Sequence, residues 1–406
     1  MTIGLRSVVV IGGGIAGTAA ALAARRAGAE VTIALGGAGA STLSSGALDL
    51  TRWDGPTSAP AALDAQSMSV LDALDAFTIP ASGALLATVA GIVRPARGAD
   101  RALLDLAALP AGVVLVPKSD HQGWDATTLA RGWNHARLAR ERSLQFCSVD
   151  AQITRFVDER MLVDAELAAR HDDPARIAWL AERLKEAIAR AACADVVAVL
   201  LPSWLGFERS CAAALRASLG IPCGEAIGMP GGPSGFRFER ARTRALVAAE
   251  IATVRGRVTK IAHTGTWRVS LEEGAPLSAD RVIVAAGGLI GGGIAYEPSA
   301  AILAGAIPPH ARPTFACTIE GPLAIGLRGH SKPMPGSLFG EPPESLAWPF
   351  TDDPALDRAG ILTGNEGRVA SSPEGLYAAG DAAADRPRTW LAALEGGARA
   401  GHAAAQ

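Results

Sequence analysis

The chain has 406 residues, 49% of them hydrophobic and 19% charged, and its 38 basic and 40 acidic side chains leave a formal charge of −2. That length exceeds what one compact domain usually needs and allows two hydrophobic cores. The nearly balanced charge offers no electrostatic footprint for nucleic acid or for an anionic membrane, so we expect neither to bind the chain directly.

The cysteines and the apolar segments exclude further classes of protein. Five cysteines are scattered through the chain without a C-x-x-C pair: Cys147, Cys193, Cys211, Cys223 and Cys317. This spacing favours neither a disulfide framework nor a cysteine-ligated zinc or iron–sulfur site, and we expect no metal. The N-terminus lacks the features of a signal peptide, and the longest apolar stretch, 282–295, carries five glycines and is shorter than a membrane span of roughly 20 residues. We therefore expect a cytoplasmic protein that reaches a membrane only through partners.

The start of the chain predicts a β-α-β unit. Residues 8–11 are an apolar, largely β-branched strand sequence, 18–27 are alanine-rich and helical, and 31–35 are a second apolar strand sequence. A glycine-rich turn connects the first strand to the helix. Its residues are the predicted phosphate-binding residues: Gly12, Gly13, Gly14, Ile15, Ala16 and Gly17.

The three spaced glycines of this turn have distinct physical roles in dinucleotide-binding proteins. Gly12 allows the tight turn, Gly14 lets the backbone approach a pyrophosphate, and Gly17 lets the helix pack closely on the strand, with the helix N-terminus facing the phosphates. The alternative is a glycine-rich turn in another kind of α/β protein. The position between a strand and a helix favours the nucleotide-binding interpretation.

The end of the second strand departs from the usual pattern. An acidic residue there normally binds the ribose hydroxyls of the adenosine half, but Leu35 holds this place. The nearest acid, Glu30, lies at the start of the strand. The ribose contact must therefore be made by other groups or is missing.

The middle of the chain predicts a second domain and a return to the first one. Residues 53–235 contain an amphipathic helical stretch and proline-rich joints near Pro230 and Pro233, which favours an inserted domain. After a helix over 238–251, a small antiparallel meander that includes Val258 leads to a buried strand with small residues at its tip. We predict that Val258, Ala286 and Gly287 border the cofactor.

The C-terminal region predicts the flavin side of the site. Residues 375–381 are a turn, a short apolar strand and the pair Gly380-Asp381, and a helical stretch containing Gly396 and Gly397 follows. A carboxylate after a strand can accept a hydrogen bond from a ribityl hydroxyl, and a helix N-terminus can stabilise negative charge on the reduced flavin ring. The alternative role of Asp381 is a helix N-cap. FAD is favoured over FMN because only FAD has the pyrophosphate that the glycine turn would bind.

Together these features resemble the glutathione-reductase-like flavoprotein superfamily and, within it, the smaller flavoprotein subunit of the anaerobic glycerol-3-phosphate dehydrogenases. Four sequence patches carry the closer resemblance: 44–50, 123–125, 230–237 and 286–293. The resemblance implies that Ser44, Ser45 and Gly46 contact the flavin. It also implies a larger flavoprotein subunit that oxidises glycerol 3-phosphate, an iron–sulfur subunit that passes electrons towards quinone, and a peripheral position at the inner membrane through these partners.

The predicted fold class is α/β, with a Rossmann-like FAD-binding domain and an inserted α+β cap or substrate domain. The predicted segments of the FAD-binding domain are 1–52, 236–294 and 364–406, and those of the insert are 53–235 and 295–363. One motif differs from the resembled family, because Glu395-Gly396-Gly397 stands where a cysteine-containing glycine run is typical. The substrate is therefore left open.

Flavin-dependent dehydrogenation needs a base for the substrate and a cation for any substrate anion. The candidates are His330, in a Gly/Pro-rich loop, and Arg97, whose guanidinium can bind a carboxylate or phosphate in a bidentate manner. The alternatives are a surface-loop histidine and a solvated arginine. Three functions stay open: a flavoprotein subunit of a multi-subunit dehydrogenase, a flavin-less scaffold subunit, and a stand-alone FAD-dependent amino-acid or hydroxy-acid dehydrogenase.

Overall fold

A computed structural model describes residues 5–49, 62–191, 193, 195–288, 290–293, 295–298, 314–318, 333–335, 360–369, 372–384 and 386–406. The strands, numbered in chain order, are β1 Ser7–Ile11, β2 Glu30–Leu35, β3 Ala47–Leu48, β4 Phe77–Thr78, β5 Ala84–Ala87, β6 Val93–Ala96, β7 Gly98–Asp100, β8 Gly112–Pro117, β9 Leu144–Val149, β10 Val196–Leu201, β11 Cys223–Glu225, β12 Ala252–Arg255, β13 Val258–His263, β14 Trp267–Leu271, β15 Leu277–Ala279, β16 Arg281–Val284, β17 Ala295–Pro298, β18 Thr314–Thr318, β19 Pro333–Pro335 and β20 Leu376–Ala378. The α-helices are α1 Ile15–Arg26, α2 Ala65–Leu74, α3 Ala126–His135, α4 Arg137–Glu141, α5 Asp164–Arg170, α6 Pro174–Arg190, α7 Ala212–Leu219, α8 Pro233–Ala248 and α9 Trp390–Ala405.

The chain divides into two compact units. The first unit comprises residues 1–41, 63–70 and 244–406, and the second comprises residues 42–62 and 71–243. These bounds differ from the predicted domain boundaries, which stay a prediction. In the part of the chain that the structure describes, no helix has the length and apolar character needed to cross a bilayer.

The first unit is built on a parallel five-stranded sheet with the order β12-β2-β1-β16-β20. Its central strands pair in regular register, with Val9 opposite both Thr32 and Val282. The strands β1 and β16 are buried, which explains why they are apolar without alternation. This sheet confirms the predicted Rossmann-like architecture.

The helix α9 packs directly on α1 in the same unit. An added Cβ at Gly397 would lie 2.1 Å from the carbonyl oxygen of Ala16, and one at Gly401 would lie 2.1 Å from that of Ala20. Because no side chain fits between these backbones, the two helices approach as closely as their main chains allow. A three-stranded antiparallel sheet, β13-β14-β15, adds Trp267 and Val269 to the hydrophobic core below the main sheet.

The meander differs from its predicted bounds at its beginning. The sequence predicts that residues 255–261 form the first part of the antiparallel meander, and the structure confirms the antiparallel pairing from Val258 onward. The strand β12 pairs in parallel with β2, and β13 begins afresh at Val258 and pairs with β14. Gly256 lies between them, and its backbone N–H extends the main sheet by donating to Leu35 O at 3.1 Å.

The second unit contains a parallel sheet of its own, with the order β11-β10-β8-β9. Helices connect each strand to the next along the chain: α3 and α4, then α5 and α6, then α7. Its core contains Trp124 and Trp133, whose indole N–H groups donate to Pro117 O at 2.8 Å and Thr88 O at 3.0 Å. Short antiparallel ladders, β3-β7-β4 and β5-β6, complete the unit. The sequence predicts an α+β insert here, and the structure shows that its main sheet is parallel throughout.

Candidate cofactor site

The candidate site lies at the carboxyl edge of the sheet in the first unit. Because β1, β2, β16 and β20 are all parallel, the residues that follow them meet at the same edge. Those residues are mostly small: Gly12 to Gly14 after β1, Gly36 and Gly37 after β2, Ala285 to Gly288 after β16, and Gly380 with Asp381 after β20. Small residues at strand ends leave backbone groups open to a ligand.

At two positions of the N-terminal turn, backbone contacts leave room only for glycine. Gly12 has φ of 108°, and an added Cβ there would lie 2.2 Å from Ala285 O. An added Cβ at Gly17 would lie 1.8 Å from Gly12 O. Both distances are far below van der Waals contact, so neither position accepts a side chain. These contacts match the tight-turn and close-packing roles that the sequence pattern predicts.

Gly14 differs from its two neighbours in what surrounds it. It is the N-cap of α1, and among the described residues an added Cβ there would have only Ser41 Oγ within 4 Å, at 3.4 Å. The first turn of α1 carries no acidic residue, while Arg25 and Arg26 lie in the last turn. The positive end of the helix dipole is therefore not neutralised by the helix itself, and the position suits a bound anion.

Ser41 is a site residue that the sequence analysis missed. Its hydroxyl accepts a hydrogen bond from the backbone N–H of Ile15 at 2.9 Å, and an added Cβ at nearby Gly39 would lie 3.0 Å from Gly14 Cα. The segment 39–41 therefore crosses the glycine turn and borders the space above Gly14. A serine shortly after a glycine pair that follows β2 is a weak signal, because only the fold brings it to α1.

The end of β2 has no acidic residue, as the sequence indicates. Leu35 is followed by Gly36, and Glu30 lies at the opposite end of this strand. Six extended residues span roughly 20 Å, so Glu30 cannot serve the carboxyl edge. The contact that a carboxylate would make to a ribose is absent from β2.

The other side of the site is formed by the ends of β16 and β20. Gly287 has φ of 85°, and Gly380 has φ of 64° with room for only a hydrogen, since an added Cβ would lie 2.5 Å from Ala16 Cβ. Asp381 lies in a 3-10 turn, Gly380–Ala382, and its backbone oxygen accepts a hydrogen bond from Arg388 Nη1 at 2.6 Å. The strand ends of β1, β16 and β20 are thus drawn together by small residues.

The remaining predicted flavin residues are distributed over both units. Gly397 contacts the backbone of Ala16, and an added Cβ at Gly396 would lie 3.6 Å from Gly380 N, so the second turn of α9 lies beside the turn after β20. Val258 is buried in the hydrophobic core of the first unit.

Ser44, Ser45 and Gly46 belong to the second unit. Gly46 N donates to Ser44 Oγ at 3.2 Å. An added Cβ at Gly46 would lie 2.7 Å from Ser234 Oγ. The role of these residues toward a flavin stays a prediction.

Of the two predicted catalytic residues, Arg97 lies within the described residues and His330 lies outside them. Arg97 is 9% exposed, its Nη1 donates to Pro80 O at 2.7 Å, and its Nε has no hydrogen-bond partner among the described residues. Burial of this guanidinium contradicts the alternative of a solvated loop arginine. His330 lies outside the described residues, and its role stays a prediction.

A buried ionic cluster in the second unit was not predicted. Arg237 binds Asp100 at 2.8 Å and Glu225 at 2.7 Å, and it also donates to Gly206 O at 2.7 Å and to Ser234 Oγ at 3.0 Å. Both carboxylates are at most 2% exposed. Burial, opposed by the Arg237 charge, raises the pKa of Glu225 to about 7. The single positive charge of Arg237 is shared by two buried carboxylates, which favours the protonated form of Glu225 near neutral pH.

Comparison with known proteins identifies the N-terminal segment. Residues 7–94 match the family of FAD binding domains, and this segment contains the glycine turn, α1 and Ser41. The match confirms FAD as the predicted cofactor of this segment. No curated protein sequence matches the chain.

Two solved structures are similar over nearly the whole chain. An oxidoreductase from Agrobacterium tumefaciens is 12% identical with a TM-score of 0.34, and the alignment covers 99% of this chain and 97% of that one. Glycine oxidase from Geobacillus kaustophilus is 13% identical with a TM-score of 0.33, covering 97% and 93%. At these scores neither likeness carries an argument about activity.

Proposed function

We propose that this chain is the FAD-carrying subunit of a multi-subunit dehydrogenase. In this proposal it oxidises a small substrate such as glycerol 3-phosphate, or relays the electrons of that oxidation through FAD to an iron–sulfur and quinone partner. The observation that carries the flavin part is the turn Gly12–Gly17 at the N-terminus of α1, within a segment that matches FAD binding domains. The substrate and partners rest on the sequence resemblance.

The residues at the carboxyl edge fit a dinucleotide in chemical terms. The open space above Gly14 and the unneutralised N-terminus of α1 suit the pyrophosphate. Asp381 would accept a hydrogen bond from a ribityl hydroxyl, while Ala286 and Gly287 would let the flavin approach the backbone. FAD supplies the hydride acceptor when bound.

Two side chains of this chain are proposed to bind the substrate and to accept its proton. Arg97 would bind a substrate anion, because its buried Nε has no hydrogen-bond partner within the described part of the chain, and His330 would accept the substrate proton. The FAD-binding match counts against the flavin-less scaffold. A stand-alone amino-acid or hydroxy-acid dehydrogenase is the alternative outcome of the tests below.

The flavin part is tested by Gly14→Val. We expect this variant to fold but to lose its flavin, because the added methyl groups enter the space assigned to the pyrophosphate. Gly364→Val is the matched control, since Gly364 is exposed, has φ of −80° and has only Arg368 O near an added Cβ among the described residues, at 3.9 Å. Acid extraction and chromatography measure the flavin content. Full FAD occupancy in Gly14→Val, or FMN alone in the wild type, would contradict the assignment.

The subunit part is tested by purification and by flavin bleaching. We expect the tagged chain to co-purify with a second flavoprotein and an iron–sulfur protein. We also expect glycerol 3-phosphate to bleach the flavin absorbance of the isolated chain slowly or not at all. Rapid turnover of the isolated chain with an amino acid or a hydroxy acid and a soluble acceptor would instead establish the stand-alone enzyme. Slow bleaching is expected for the relay role, because the flavin of this chain would then receive its electrons from the larger flavoprotein subunit, which the isolated chain does not have.

A further inference from the structure

Two cysteines of the second unit lie side by side. The Sγ atoms of Cys147 and Cys193 are 3.1 Å apart, although the residues are 46 positions apart in sequence. Both are free thiols, and both are partly exposed. A disulfide requires about 2.05 Å between the sulfurs, so an approach of roughly 1 Å would bring them to bonding distance.

The positions of the two residues allow that approach. Cys147 is fixed in β9, opposite Leu115 of β8. Cys193 lies between the end of α6 at Arg190 and the start of β10 at Val196, outside helix and strand. Moving Cys193 therefore breaks no hydrogen bond of a helix or of the sheet. Two further cysteines have other surroundings: Cys211 Sγ lies 3.2 Å from His171 O, and Cys223 is buried in β11.

We propose that Cys147 and Cys193 form a reversible disulfide when the protein meets a small-molecule disulfide such as oxidised glutathione. One cysteine, as thiolate, attacks a sulfur of the small disulfide, which forms a mixed disulfide and releases one small thiol. The second cysteine then attacks the protein-bound sulfur and releases the second small thiol. The protein loses two protons and two electrons in total, and one small disulfide is reduced to two thiols.

The crosslink would join two segments that each lead, three residues away, to a residue lining one cavity. Cys147 precedes Asp150 in sequence, and Cys193 follows Arg190, and both of these charged residues line a cavity of about 760 Å³ beyond the ends of β8 and β9. The oxidised protein would therefore hold the chain after α6 against β9. The loop that the disulfide closes contains α5 and α6, so oxidation removes conformational freedom from the unfolded chain.

The experiment uses the full chain with Cys317→Ser, so that only Cys147, Cys193, Cys211 and Cys223 can react. The protein is incubated with oxidised glutathione at about pH 9, because the thiolate is the attacking species and the contact with Cys193, together with burial, raises the pKa of Cys147 to about 11. Intact mass and peptide mapping are the primary measurements. We expect a loss of two hydrogens and a crosslinked pair of peptides that contain residues 147 and 193.

Variants that each lack one cysteine show which two residues form the crosslink. Cys147→Ser and Cys193→Ser should each hold glutathione on the remaining cysteine of the pair, and Cys211→Ser should form the same crosslink as the parent. The oxidised parent should melt about 5–10 °C higher than its reduced form. Glutathione retained on the parent without a crosslink, or two free thiols after incubation, would overturn the proposal.

Discussion

Both units of this chain contain a parallel sheet, yet the carboxyl edges of the two sheets are filled in opposite ways. In the first unit the strands end in small residues, and the backbone of Gly12 lies against Ala285. In the second unit the segments after the strands include large or charged residues, such as Lys118, Asp150 and Trp204. His121, after β8, packs its ring edge-on against Trp204, after β10, with 5.0 Å between the ring centroids.

The difference shows that the sheet topology alone does not specify a nucleotide site. A dinucleotide needs backbone donors that it can approach, and these are available only where side chains are absent. The second unit uses its edge for packing and for the buried cluster around Arg237, whose partners include Glu225 at the end of β11. Four predictions test this contrast, beginning with the largest expected effect.

Gly17→Ala should prevent the first unit from folding. The new Cβ would lie 1.8 Å from Gly12 O, and neither backbone can move without breaking the turn or the sheet, so we expect a loss of more than about 4 kcal/mol. Gly14→Ala is the matched control and should keep the fold. Circular dichroism and thermal unfolding measure both variants, and a well-folded Gly17→Ala protein would contradict the packing described for α1.

Arg237→Ala should destabilise the second unit by about 3–5 kcal/mol, because Asp100 and Glu225 would be left buried without their cation. Arg240→Ala, on the same helix, removes a half-exposed contact to Glu208 at 3.0 Å and should cost less than about 1 kcal/mol. Urea unfolding measures both. Equal effects would mean that the cluster does not stabilise this unit.

The pKa of Glu225 predicts a pH dependence of stability. Because burial raises this pKa from 4.5 to about 7, the folded protein holds a proton that the unfolded chain releases, so stability is greatest below about pH 4.5 and falls as the pH rises through 7. The expected loss from this group is about 3 kcal/mol. Glu225→Gln should flatten the profile measured by urea unfolding at a series of pH values. An unchanged profile in this variant would assign the pH dependence to other groups.

Asp381→Ala should weaken FAD binding by about fivefold, which corresponds to one hydrogen bond of about 1 kcal/mol, while the fold is kept. The effect is smaller than that of Gly14→Val because several backbone donors still bind the phosphates. Fluorescence titration of the flavin-free protein with FAD measures it. An unchanged affinity would favour the alternative role of Asp381 as a helix N-cap.

Local sequence patterns predicted the elements of the first unit closely. The strand predicted at 8–11 is Ser7–Ile11, the helix predicted at 18–27 is Ile15–Arg26, and the strand predicted at 31–35 is Glu30–Leu35. These elements are encoded within a short stretch by periodic apolar residues and glycine turns. The helix predicted at 238–251 begins earlier, at Pro233, because proline is tolerated in a first helical turn, whereas the sequence analysis interprets Pro233 as part of a joint.

Contacts between distant segments could not be predicted from such patterns. Ser41 reaches Ile15 across 26 positions, and Arg237 reaches Asp100 across 137 positions. The parallel sheet of the second unit was missed for the same reason, since pairing of β8 with β10 depends on which strands become neighbours. Charged residues such as Arg237 are usually exposed, so composition alone gives no signal that this one is buried.

The packing of α9 on α1 has a consequence for the synthesis of the protein. Ten of the twelve residues of α1 are buried in the finished fold, and part of that cover comes from α9, at the other end of the sequence. A ribosome adding roughly 5–20 residues per second therefore leaves the apolar surface of α1 uncovered for roughly 20–75 seconds. During that interval we expect this surface to be open to chaperones, and the first unit to complete its packing only after α9 has emerged.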